Sequence, residues 1–126
     1  MQINQSYNQA HQQNFGAFHM HDGVKEALLK RASKSDIEII SSLIQEQNHN
    51  KNVDITLFTQ KSTKLGANIY PKDTTSSVRL QRSQEGIFYK FTNPLNFIKK
   101  ICKEANEMSE TVEIEKIKKE VLKKLN

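Results

Sequence analysis

The chain has 126 residues, 36% apolar and 26% charged, with a net charge of +5 and one cysteine; its mean hydropathy is −0.70. That length holds one domain with tails, the apolar share limits the core, and no apolar run is long enough to cross a bilayer. The single cysteine, Cys102, excludes an internal disulfide framework and fits a reducing compartment, so a soluble, cytoplasmic protein is expected.

Residues 1–18 contain no Lys, Arg, Asp or Glu and are dominated by Gln and Asn. Such a stretch buries too little apolar surface to offset backbone ordering, so 1–21 is expected to be a flexible arm, with Phe15, Phe18 and Met20 able to tack it down. His19, His21 and Asp22, with His11 upstream, are the one grouping of metal-type ligands. On a strand a His-x-His pair aims both rings to one side, but no other residues complete a closed set, so neither metal nor cofactor is expected. Asp22 is placed to cap a helix running to about Ala32, with Val24, Ala27, Leu28 and Leu29 as its apolar positions. Ser35 and Glu38 have the capping-box spacing for a second helix. Its stripe is Ile37, Ile40, Leu43 and Ile44, and the polar stretch 48–52 ends it.

From 53 to 91 the period changes to two. Val53, Ile55 and Leu57 alternate with Asp54 and Thr56, Leu65, Ala67 and Ile69 with Gly66 and Asn68, and Val78 and Leu80 with Arg79 and Gln81. Polar breakers at 60–64, 71–77 and 83–86 suit hairpins, so three antiparallel strands are predicted. Ile87, Tyr89 and Phe91 form either a fourth strand or an extended lead into the next helix. Asn93 followed by Pro94 is a cap with proline at the first helical position. Leu95, Ile98, Ile101, Cys102, Ala105 and Met108 then make an apolar face to lie on the sheet, with Cys102 a core thiol. A charged helix trails over 109–126, where Ile114, Ile117, Val121 and Leu125 form a narrow seam among Glu and Lys. That seam is expected to fold back on its own domain, or else to meet a second chain. The fold class is α+β: two N-terminal helices, an antiparallel sheet of three to four strands, a helix packed on it, and the charged C-terminal helix. The domain spans 22–108.

The four glycines are scattered, so no phosphate-cradling loop exists. Neither a Ser-His-Asp nor a Cys-His arrangement is legible, and no carboxylate pair sits beside an acid or base. The expectation is a non-catalytic interaction protein that meets a protein partner or itself through Ile114, Ile117, Val121 and Leu125. Its net charge also suits an anionic partner. RNA binding is the alternative, with Arg79, Arg82 and Lys90 making a basic sheet face and Tyr70, Phe88 or Tyr89 as stacking platforms. Lys99, Lys100 and Lys103 add a basic run on the last core helix. The order helix, three or four strands, helix is similar to the double-stranded RNA-binding domain, and the resemblance implies that these three lysines face phosphates. Where that domain has a glycine-containing loop, this chain has Phe91-Thr92-Asn93-Pro94. A further alternative is a small RNA-directed toxin, with Arg79 and Arg82 holding phosphate, Glu85 as base and His19 or His21 as acid; it requires a deep pocket joining them. The amide-rich leader resembles the export signal of type III secreted effectors, which implies export without a cleavable signal peptide.

Overall fold

The computed structural model describes residues 12–15 by their backbone, and 17–61 and 63–125 in full. Strands β1 (Gln12–Phe15) and β2 (Phe18–His21) lead into helices α1 (Val24–Arg31) and α2 (Lys34–Glu46). Strands β3 (Val53–Gln60), β4 (Lys64–Pro71) and β5 (Gln81–Gln84) follow, then helix α3 (Pro94–Lys124). The five strands lie in the order β1-β2-β3-β4-β5. Every neighbouring pair is antiparallel except β2 and β3, which run parallel with Phe18 beside Ile55 and Met20 beside Leu57. A parallel step needs a crossover long enough to return the chain to the same end of the sheet, and α1 and α2 are that crossover.

Period-two alternation sorts the sheet into two unlike faces. Phe18, Val53, Ile55, Leu57, Leu65, Ala67 and Ile69 point into the helix layer and are fully buried. From α3, Leu95, Phe97, Ile98, Ile101, Ala105 and Val112 meet them, while Ile40 and Ile44 of α2 and Val24, Ala27 and Leu28 of α1 close the core. The architecture is therefore α+β, with the C-terminal helix packed on the sheet.

Several local expectations shift. The leader over 1–11, with His11, lies outside the described residues. Residues 12–15 and 18–21, expected in the flexible arm, are instead a hairpin in the sheet. Phe18 and Met20 alternate with His19 and His21, and β3 supplies the ladder that their backbone requires. The cap of α1 is Gly23 rather than Asp22, with φ of 93°, a left-handed conformation open to glycine. Ser33, two residues before Ser35, caps α2 and accepts from the Asp36 amide. β5 is displaced from 78–81 to Gln81–Gln84, because the inward position opposite Ala67 is filled by Ser83, whose hydroxyl donates to Glu104. Residues 87–91 form no strand; they turn into a short 3-10 segment, Tyr89–Phe91, with Tyr89 buried and Ile87, Phe88 and Phe91 exposed. Asn93 does cap α3, accepting from the Leu95 amide at 2.9 Å. That helix continues unbroken through 109, so the trailing charged segment is its second half.

One ion pair joins these elements. Arg31, the last residue of α1, donates to both carboxylate oxygens of Glu85 at 2.5 and 2.8 Å. It also donates to the carbonyls of Thr63 at 3.0 Å, Tyr89 at 2.5 Å and Thr92 at 3.2 Å. Its guanidinium lies 5.4 Å from the Tyr89 ring centre. Glu85 accepts in addition from the Leu65 amide at 2.8 Å. With side-chain exposures of 9% and 4%, each charge depends on the other for its solvation. Glu85→Ala, which strands the guanidinium, should cost about 3–5 kcal/mol of unfolding free energy in urea, and the double variant Arg31→Met/Glu85→Leu should recover part of that loss.

Candidate interaction surfaces

Helix α3 spans 31 residues, about 46 Å at 1.5 Å per residue, so it is longer than the sheet it lies on. Up to Val112 its apolar stripe faces the core. Continued in phase, that stripe reaches Glu115, Lys116, Lys119 and Lys123, which are charged. Four of the five apolar residues beyond Val112 have changed sides. Ile114, Ile117, Val121 and Leu125 stand roughly 140–220° round the helix from Val112, at about 100° per residue. All four are exposed, by 52% to 75%. The sequence-based expectation that this seam folds back on its own domain is therefore corrected: it points away from the body. Ile114 and Leu122 also line a shallow groove with Ser77 and Val78, about 320 Å³ in volume.

Polar brackets hold the helix in this orientation. Asn52, buried in the turn before β3, donates to Ser109 Oγ and to Glu113 Oε1, both at 3.1 Å. Lys116 Nζ returns a 2.6 Å bond to Asn52 Oδ1. One turn earlier Gln47 donates to Asn106 at 3.0 Å. Positions 106, 109, 113 and 116 are spaced three and four apart, so they form one stripe on the body side of α3. On the neighbouring flank Glu115 accepts from the Ser76 hydroxyl at 2.7 Å, from the Ser77 amide at 2.9 Å and from the Ser77 hydroxyl. The Ser77 hydroxyl, the Ser76 hydroxyl and the Ser77 amide, in that order, hold its carboxyl down at about 2, with a smaller contribution from Lys119.

The basic residues singled out in the sequence fall on separate surfaces. Arg82 lies on β5, on the sheet face away from the helices, where it reaches Asn68 at 3.2 Å and sits 5.2 Å from the Phe58 ring centre. Arg79 precedes β5 in an irregular stretch and Lys90 lies in the 3-10 segment, both exposed. Lys99, Lys100 and Lys103 are exposed on α3, across the sheet from Arg82. Of the expected stacking rings, Tyr70 is on the open sheet face, Phe88 is exposed outside the sheet, and Tyr89 is buried beneath Arg31. Phe58 was missed, although its place in phase with Thr56 and Gln60 marks it as an aromatic on the polar side of β3. The toxin-like constellation is not assembled: Glu85 is consumed by Arg31, and His19 on β2 is three strand spacings, about 14 Å, from Arg82 on β5.

His19 instead lies 3.4 Å from Asp54, which Lys72 also approaches at 3.8 Å. Among the described residues no three His, Cys, Asp or Glu side chains converge. Burial, with Glu46 nearby, pushes the Cys102 thiol up to about 12, so it is a core residue and not a thiolate nucleophile. Between α1 and α2 an apolar cleft of about 260 Å³ is lined by Met20, Leu28, Leu29, Ile37, Ile40 and Ile44. No described helix is long and apolar enough to cross a membrane. The order α2, β3, β4, β5, α3 is the helix, three strands, helix expected from the sequence, but β1 and β2 extend the sheet through a parallel step. No protein-family model, curated protein or solved structure matches the chain.

Because the folded Glu115 carboxyl titrates below its ordinary 4.5, its bracket contributes fully above that pH and is lost as the pH falls toward about 2. The carbon-13 shift of this carboxyl should therefore titrate with a midpoint near 2, and Ser76→Ala/Ser77→Ala should return the midpoint toward 4.5.

Proposed function

We propose that this chain is a non-catalytic interaction module that engages an apolar helix of another protein chain, or of a second copy, through the outward seam of α3. The observation that supports this is the change of side at Val112. A helix that only needed to cover its own core would carry its apolar stripe on one side or become polar at the end. Here four apolar residues recur at helical spacing on the side opposite the core stripe, each more than half exposed. Their positions, three and four apart, match the anchor spacing by which helices pack against one another. The polar brackets from Asn52, Gln47 and Ser76–Ser77 serve this reading, because they hold the helix so that the seam stays outward.

A photo-crosslinking side chain placed at position 121 should form protein adducts in cells, and one at position 100 should not. Ile117→Glu should lower the yield at 121 by about tenfold, as expected for a central anchor in a desolvated contact. Yields at 121 no higher than at 100 would remove the seam as the working surface.

A further inference from the structure

The sheet face turned away from the helices carries a different chemistry from the seam. Alternation puts Phe58 and Tyr70 on it, half-buried, with nothing from the helix layer over them. Its charged side chains, leaving histidines aside, are Lys64, Lys72 and Arg82 against Asp54 alone, among the described residues. The Phe58 ring is held in a defined place. Gly66 lies opposite it in the β3–β4 register, and a Cβ built at Gly66 would fall 2.5 Å from the ring, so only glycine lets the ring lie there. From β5 the planar, exposed Arg82 guanidinium comes to 5.2 Å from the ring centre and bonds Asn68. Tyr70, four residues along β4 from Gly66, gives a second ring on the same face, its hydroxyl 3.2 Å from Thr56 Oγ1.

We infer that this open sheet face binds single-stranded nucleic acid, with a base stacked on the Arg82–Phe58 pair and the backbone phosphates drawn by Lys64, Lys72 and Arg82. The ligand chemistry follows from the surface. Rings and a guanidinium plane offer stacking to any base, and the cationic excess suits a polyanion. A duplex hides its base faces, so it could use only the charges. An acidic protein segment could likewise use the charges but would have no need of a ring seated on glycine. The inference is independent of the seam on α3 and uses none of its residues. It also differs from phosphate binding by Lys99, Lys100 and Lys103, which lie on the other side of the molecule.

The test is fluorescence anisotropy of the full chain with labelled mixed-sequence RNA and DNA strands of about 20 nucleotides, single and double, from about 50 to 200 mM salt. Single strands should bind in preference to duplexes. Phe58→Leu, which keeps an apolar side chain beside Gly66, and Arg82→Glu should each weaken binding by about tenfold. Lys100→Glu/Lys103→Glu should leave single-strand affinity within about twofold, since those lysines touch no phosphate on this face. Absence of single-strand binding at the lowest salt would overturn the inference. So would equal weakening by the sheet and helix variants, which marks diffuse charge attraction, or a duplex preference abolished by the lysine variants, which moves recognition to α3.

Discussion

The structure depends on a single buried ion pair. Arg31 closes α1, and its guanidinium gathers the β3–β4 hairpin at Thr63, the end of β5 at Glu85, the 3-10 segment at Tyr89 and the approach to α3 at Thr92. Glu85 extends the same junction by taking the Leu65 amide on its carboxylate, while its own amide donates to the Leu65 carbonyl. At so enclosed a site neither charge is stable alone, and the Thr63 and Thr92 carbonyls would lose the donor that Arg31 gives them. The pair is thus a specificity device more than a source of net stability. It ties the crossover helices to the far edge of the sheet, and so places both the edge strand β5 and the first turn of α3.

From that anchored start α3 acts as a beam. Up to Val112 it completes the core, with Ile98, Ile101, Ala105 and Val112 against β3 and β4. From Asn106 to Lys116 hydrogen bonds also hold it, through Gln47, Asn52 and the paired serines at 76 and 77. Hydrogen bonds fix rotation about the helix axis more sharply than a hydrophobic stripe does, because they are directional. That constraint keeps Ile114, Ile117, Val121 and Leu125 facing outward. The sheet supplies a second free surface on its opposite side, so the molecule presents an apolar helix ridge and a cationic, aromatic plate on different faces.

Much of the local structure was legible because it rests on short-range periodicity. The alternation over Val53–Gln60 and Lys64–Pro71, the stripe of α2 and the Asn93–Pro94 start of α3 all follow from residues close together in the chain. The misses have a common cause. β2 is only four residues long, and its alternation of Phe18, His19, Met20 and His21 is masked by an amide-rich leader. β5 turns a serine inward, satisfied by Glu104 twenty-one residues away, so no apolar rhythm announces it. Arg82 was read as a basic sheet residue, but its partner Phe58 comes from a strand two places away in the sheet and can be assigned only once the register is known.

By itself, then, the sequence determined what adjacent residues decide: the alternation of β3 and β4, the apolar stripe of α2 and the Asn93–Pro94 start of α3. The tertiary structure alone decided which surfaces those patterns serve. The parallel placement of β2 beside β3, the pairing of Arg31 with Glu85 across 54 residues, and the continuity of α3 through 109 are long-range outcomes. The last of these sets the direction of the seam. With 3.6 residues to a turn, the step from Val112 to Ile114 is a change of side only if the helix does not break between them.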